Sequence, residues 1–283
     1  MLQLICVIFT IPKDNSVFTF KLIKGECDGI MSTKQYKLGL ASVSFRENSA
    51  KEILEAAALC GLSYIEWGSD VHAPRDNPQK CIELAKLQAE HGLLCSSYGT
   101  YFRLGKHPIT ELADYARTAN ILGTHILRIW GGDKSGADMT DTERYKFISD
   151  SKKAAAIAER LGIILCLECH VGTFTERPED TVWLLKEVDS PNLRTYWQPL
   201  QHQSFEKNLE SAKRLAPYTE NIHVFNRPSD KRLPLSLAAE EWREYLCYFH
   251  SSHTLLLEFM PNGKIDELFY ETKALKSITE YAE

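Results

Sequence analysis

The stretch "IILCLECH", residues 163–170, decides how this chain is read. Its last five residues match Cys-x-x-Cys-His, the spacing that attaches haem in c-type cytochromes. On a loop or a helix, Cys166 and Cys169 could act together on haem, on zinc or as a redox pair. The run is apolar and β-prone, however, and on a strand successive side chains point to opposite faces. Cys166, Glu168 and His170 then share one side, and Leu167 and Cys169 the other, so the thiols are separated. A zinc site built from four cysteines would also need a second cysteine pair, which the sequence lacks. The informative residue is Glu168, a carboxylate that ends an apolar strand.

Working outward, short apolar runs of the same kind recur at 38–45 (LGLASVSF), 63–68 (SYIEWG), 93–99 (LLCSSYG), 125–131 (HILRIWG), 193–198 (LRTYWQ), 221–226 (NIHVFN) and 254–260 (TLLLEFM). Helical patterns fill the gaps. Ser49 with Glu52 and Thr140 with Glu143 stand in capping-box register, Gly61 and Gly162 supply stops, and Asn77 precedes Pro78 as a cap with proline at the first helical position. Successive strands start 25 to 38 residues apart, the spacing of βα units whose buried strands run parallel and need a helical crossover. Eight such units predict an α/β fold, a (β/α)8 TIM barrel over residues 37–283 that closes without an exposed edge. An open doubly wound sheet is disfavoured, because the first strand is followed by "RENS" and not by a Gly-x-Gly-x-x-Gly turn.

Residues 1–36 read differently. "LICVIFTI" and "SVFTFKLI" flank the turn-forming "PKDN" and are expected to form a β-hairpin extension, and Met31 opens the segment that leads into the barrel. The opening run lacks a basic start and a small-residue cleavage site, so no secretory signal is expected, and it is too short to span a bilayer.

Eight cysteines scattered through core-like segments fit buried thiols in a reducing compartment, so a soluble, cytoplasmic protein is expected. The net charge is -5 and no Lys/Arg run occurs, which argues against nucleic-acid and membrane partners and for a small metabolite. A homo-oligomer is compatible with the sequence.

In a (β/α)8 barrel the active site lies at the C-terminal ends of the strands. Glu66, Tyr98, Arg128, Glu168, Gln198, His223 and Glu258 end the apolar runs here, and polar groups entering a barrel interior cost free energy unless something satisfies them. Glu168, Gln198, His223 and Glu258 together form an oxygen and nitrogen donor set suited to one divalent ion, Mn2+, Mg2+, Co2+ or Zn2+. Glu66 and His72, in "EWGSDVH", are candidates for substrate contact or for loop capping. His170 is a candidate to orient substrate, and Arg128 to bind an anion or to pair with Glu66 or Glu168. Tyr98, Trp130, Trp197 and Phe225 could give a small ligand an apolar wall.

At these residues the chain resembles the sugar phosphate isomerase/epimerase group of xylose-isomerase-like barrels, through "LGLASVSF", "YIEWGSDVH", "LRIWGG", "LECHVGT", "IHVF" and "LLLEF". In that group Glu, Asp, His and Glu from the last four strands hold one divalent ion, and the two glutamates exchange protons with substrate. The resemblance places Glu168, His223 and Glu258 at the first, third and fourth positions. The second departs: Gln198, with Gln201 and His202 after it, stands where the family has Asp followed three residues later by His. A glutamine oxygen ligates but carries no charge, so weaker binding or a changed metal preference is expected.

The resemblance implies an isomerase or epimerase acting on a sugar-like hydroxy-ketone through an enediolate, with Glu168 and Glu258 as catalytic groups and Glu66, His72, Tyr98, Arg128 and His170 near substrate. Elimination of water would use the same enediolate. The alternatives are a sugar-binding barrel without catalysis and an abasic-site endonuclease of the same fold, which needs further His and Asp zinc ligands. Metal analysis separates the first, and the acidic charge disfavours the second. The appended position of residues 1–30 predicts that their deletion leaves soluble, active protein; loss of soluble, active protein on deletion would refute this.

Overall fold

The structure, a computed structural model, describes residues 36–229, 231–249 and 253–280. The hairpin expected in the N-terminal extension lies outside the described residues. Strands β1 (Lys37–Ala41), β2 (Tyr64–Gly68), β3 (Leu94–Arg103), β4 (Ile126–Trp130), β5 (Ile164–Glu168), β6 (Leu193–Trp197), β7 (Thr219–Val224) and β8 (Thr254–Leu257) pair in chain order and close β8 on β1. Every pairing is parallel. Helices α1 (Ala50–Leu59), α2 (Pro78–Glu90), α3 (Leu112–Leu122), α4 (Asp141–Leu161), α5 (Pro178–Val188), α6 (Phe205–Leu215), α7 (Ala239–Leu246) and α8 (Leu268–Glu280) alternate with them. This is the expected TIM barrel. Among the described residues no helix is long and apolar enough to cross a membrane.

Local chemistry starts and stops these helices as the sequence indicates. The Ser49–Glu52 and Thr140–Glu143 capping boxes are both formed, and the Asn77 side chain accepts from Lys80 N–H ahead of Pro78. Gly162 ends α4 in the left-handed conformation, with φ 65°. Two strands end earlier than the apolar runs suggest. After Ala41 the chain turns into a 3-10 segment, Ser42–Phe45, with Ser42 Oγ accepting from Gly68 N–H at 2.9 Å. After Leu257 the backbone leaves the sheet, and Phe259 adopts φ 53°.

Alternation splits the barrel into two apolar layers. Ile126, Cys166, Tyr196 and Leu256 fill the inside, while Leu165, Leu167, Cys169, Trp197, Ile222 and Leu257 belong to the larger cluster that also contains the helix residues. Cys166 and Cys169 therefore lie on opposite sides of the barrel wall, as the strand reading of "CLECH" requires, and the six cysteines among the described residues are free thiols. One strand breaks the alternation. Between Ile65/Glu66 and Cys95/Ser97 the register shifts by one residue, a bulge at Ser96. It turns Ser97 inward and Tyr98 outward, the reverse of the simple period-two expectation.

On α8, Glu271 is buried, and both of its oxygens lie within 3.2 Å of Leu235 N–H, tying this helix to the segment before α7. Burial, with help from the charge of Glu267, pushes its carboxyl up to about 7. A raised carboxyl pKa gives stability that is complete below the unfolded value near 4.5 and is lost as pH rises through about 7. The melting temperature is expected to fall between pH 5 and pH 8, and Glu271→Gln, which keeps an acceptor for Leu235, should flatten that fall. Equal slopes in the two proteins would contradict the assignment.

Candidate active site

Above the apolar inner layer, the inward positions at the C-terminal ends of the strands form a polar layer. Glu66 from β2, Ser97 from β3, Arg128 from β4, Glu168 from β5, Gln198 after β6, His223 from β7 and Glu258 after β8 are all buried. Arg128 sits between two carboxylates: its Nε donates to Glu66 Oε1 at 2.9 Å, and its Nη1 donates to Glu168 Oε2. Ser97 Oγ donates to the other Glu66 oxygen at 2.9 Å and meets the Tyr196 hydroxyl, which in turn accepts from Asn221 Nδ2. Burial opposes ionisation of Glu66, yet Arg128 and His223 beside it hold the carboxyl well below the usual carboxylate range. The same burial would lower the Arg128 guanidinium, but Glu168 and Glu66 keep it firmly charged.

His223 lies at the centre. Its Nε2 faces Glu66 Oε1 at 3.4 Å without hydrogen-bond geometry, while its Nδ1 is 3.0 Å from Gln198 Oε1, 3.4 Å from Glu258 Oε2 and 4.0 Å from Glu168 Oε1. Burial lowers the imidazole, but Glu258 and Glu66 outweigh it and raise the ring above its ordinary value. Glu258 is raised by burial and by the neighbouring charge of Glu168, and its Oε2 is buried with no hydrogen-bond partner. Gln198 Nε2 donates to Glu168 Oε1 at 3.2 Å and to Cys169 O at 2.9 Å, which turns the amide oxygen toward His223.

These distances test whether a cation suits the residues. Atoms about 2.1 Å from one ion sit about 3 to 4 Å from one another, the range spanned around His223 Nδ1. Among the described residues no three His, Cys, Asp or Glu side chains by themselves gather into a metal-holding cluster. Gln198 Oε1, the nearest of these atoms to His223 Nδ1, is the further oxygen that a cradle here would need beside them. The unpartnered Glu258 oxygen and the outer contacts fit such a cradle: Arg128 grips the far oxygen of Glu168, and Glu66 faces the far nitrogen of His223.

The other candidate residues lie elsewhere. Tyr98, read as a substrate contact, is corrected by the bulge: its ring packs outward against Tyr115 of α3 and its hydroxyl donates to Ala73 O at 2.6 Å. His72 is buried with Nε2 toward Asn48 O at 3.1 Å and its ring against Trp67, on the helix side of β2. Glu66 and Arg128 lie in the polar layer and pair with each other, and Arg128 also with Glu168, the pairing weighed for Arg128 beside anion binding. Trp197 packs outward on Trp242. His170 remains at the mouth: it stacks on Trp130 at 4.3 Å, and Arg103 lies 3.9 Å from the same indole. Its Nδ1 is 2.7 Å from Val171 O, which only accepts, so Nδ1 is the donor in this contact.

Ser97, Gly99, Tyr196 and Asn221 complete the site and were not marked by strand-end position. Gly99 carries the clearest signal, a glycine inside a β-prone run: a Cβ there would lie 2.7 Å from both Glu66 Oε1 and Arg128 Nη2. Gly99→Ala is expected to push this pair apart and to cost about 1–3 kcal/mol in urea unfolding. An unchanged midpoint would show that the pair does not need the space.

Comparison with known proteins agrees with this architecture. A family model described as a xylose isomerase-like TIM barrel matches residues 54–250. The 3-dehydroshikimate dehydratase of Bacillus anthracis is 28% identical over 203 residues, which cover 67% of this chain and 71% of that protein. The D-psicose 3-epimerase of Clostridium cellulolyticum H10, solved with D-tagatose, superposes with a TM-score of 0.63 at 16% identity over 87% of this chain and 99% of that one. A xylose isomerase-like TIM barrel protein of Mycobacterium smegmatis, solved with magnesium, gives 0.62 at 16% identity over 90% and 100%.

Proposed function

The chain belongs to the xylose isomerase-like TIM-barrel family, and from that premise we propose that it removes a proton beside the carbonyl of a small polyhydroxylated ketone. The observation that carries this reading is Glu258, a buried carboxyl with a raised pKa and one unpartnered oxygen beside His223. A general base of this kind works best with a pKa moved toward the operating pH. Glu168, Gln198, His223 and Glu258 would hold a divalent cation. When bound, such an ion supplies Lewis-acid polarisation of a carbonyl and its neighbouring hydroxyl, which acidifies the C–H between them.

The chain's own groups divide the remaining work. Glu168 is fixed at both oxygens by Arg128 and Gln198, so it serves better as a rigid ligand than as a mobile base. Glu258 takes the proton to leave an enediolate. His170, with Nδ1 held by Val171 O and its ring on Trp130, leaves Nε2 to exchange a proton on the open side of the mouth. Return of the proton to the opposite face inverts the carbon, and return to the adjacent carbon interconverts aldose and ketose. Departure of a β-hydroxyl dehydrates the substrate, an outcome favoured by the 28% identity to a dehydratase.

Incubation with ketoses and cyclic hydroxy-ketones in D2O with Mn2+ is expected to give solvent deuterium beside the carbonyl, and Glu258→Gln should cut that exchange by roughly 10²–10⁴-fold. Unchanged exchange in the variant would remove Glu258 from the reaction. Gln198→Asp, which adds a charge to the donor set, is expected to tighten Mn2+ binding in calorimetry by about tenfold or more. Level or weaker binding would show that Gln198 is not a ligand.

A further inference from the structure

A second polar cluster stands at the mouth, on the side of β1, β2 and β3. Arg46 follows the 3-10 turn after β1, Asp70 follows β2, and Tyr101 lies near the end of β3. Arg46 Nε donates to Asp70 Oδ2 at 2.7 Å and Arg46 Nη2 to the Tyr101 hydroxyl at 2.7 Å, and that hydroxyl donates to Asp70 Oδ2 at 3.0 Å. Asp70 lies on the barrel side of β2: Gly68 shares the inward face with Glu66, and a Cβ on Gly68 would come within 2.8 Å of Asp70 Oδ1. The cluster is open to solvent, with the side chains of Arg46 and Asp70 45% and 25% exposed.

A wall of rings joins this cluster to the candidate chemistry. Trp130 lies two residues beyond Arg128 on the inward face of β4, and its indole stacks on His170 at 4.3 Å. The Tyr101 ring comes next, 6.4 Å from the same indole. A molecule extending along this wall from His170 meets Tyr101, Asp70 and Arg46. Arg46 spends three of its five N–H groups, on Asp70, Tyr101 and Val43 O, and Asp70 accepts from Arg46, Tyr101 and Val71 N–H with about four lone-pair sites. Donor and acceptor capacity remain side by side, the pattern that neighbouring hydroxyls fill, because each hydroxyl both donates and accepts. Burial opposes ionisation of Asp70, but Arg46 and Tyr101 hold its carboxyl below the ordinary value, so the two opposite charges stand and cancel. An anion gains little from an arginine already neutralised.

We propose that Arg46, Asp70 and Tyr101 form a subsite for neighbouring uncharged hydroxyl groups, so that the end of the substrate lying away from its carbonyl is a neutral polyol and not a phosphate or carboxylate. This assignment rests on the proton-abstraction reading for which end reacts. The binding itself does not need that reading, so calorimetry with ribitol and ribitol 5-phosphate, which have no carbonyl, tests it separately. The full-length protein is used without added cation, which keeps phosphate from binding through metal. Wild-type protein is expected to bind ribitol more tightly than ribitol 5-phosphate. Asp70→Asn frees the charge of Arg46 and should move the preference toward ribitol 5-phosphate by at least about tenfold, whereas Arg46→Gln leaves Asp70 to repel phosphate and should move it the other way. Each variant should keep the Mn2+ affinity of the wild type. No binding of ribitol, tighter binding of ribitol 5-phosphate to the wild type, or two variants that shift the preference alike or not at all would overturn the subsite. A ribitol preference with both shifts, in a protein that fails to exchange deuterium, would leave the subsite standing and remove the reaction.

Discussion

The balance of charge on the barrel axis is the constraint on which the rest of the structure depends. Glu66, Glu168 and Glu258 place three carboxyl groups in one layer where none is more than 6% exposed. Removing a carboxylate from water costs on the order of several kcal/mol even after relaxation, and an uncompensated one destabilises the fold strongly. Arg128 answers two of the three from a single position, and His223 lies between Glu66 and Glu258. Gly99 leaves the room that the Glu66–Arg128 contact needs, and Ser97 and Tyr196 fill the remaining hydrogen-bonding capacity below it. Glu258 is left with the least support, and that shortage is the feature on which its proposed roles as base and ligand rest.

The glutamine after β6 gains its meaning in this balance. An aspartate in its place would add a fourth carboxylate to a layer that has one arginine. The amide instead directs its hydrogens to Glu168 and Cys169 O and shows only its oxygen to the centre. The charge of the donor set is lower, while the number of atoms facing His223 Nδ1 is kept. On the proposed reading, the position would give up cation affinity for a layer that is easier to bury.

Much of this was legible in the sequence because two simple periods wrote it. The spacing of apolar runs and caps gave eight βα units, and the polar ends of those runs marked Glu66, Arg128, Glu168, Gln198, His223 and Glu258, all of which are buried. The same rule failed at Tyr98, where the Ser96 bulge inverts the phase, and a bulge has no mark in an apolar run. Ser97, Tyr196 and Asn221 escaped notice because their roles arise from contacts between strands distant in the chain. The left-handed turn at Phe259 was equally hidden, since an aromatic residue gives no hint of positive φ. Side-chain partners, unlike side-chain faces, are not periodic.

The account stands or falls on what the centre of that polar layer holds. Anomalous diffraction at the manganese edge, from crystals grown with Mn2+, tests this most directly. The account predicts one peak enclosed by Glu168, Gln198, His223 and Glu258, with Arg128 still bonded to the far oxygen of Glu168. No peak at that point in crystals saturated with Mn2+, or a peak ligated by other side chains, would contradict it.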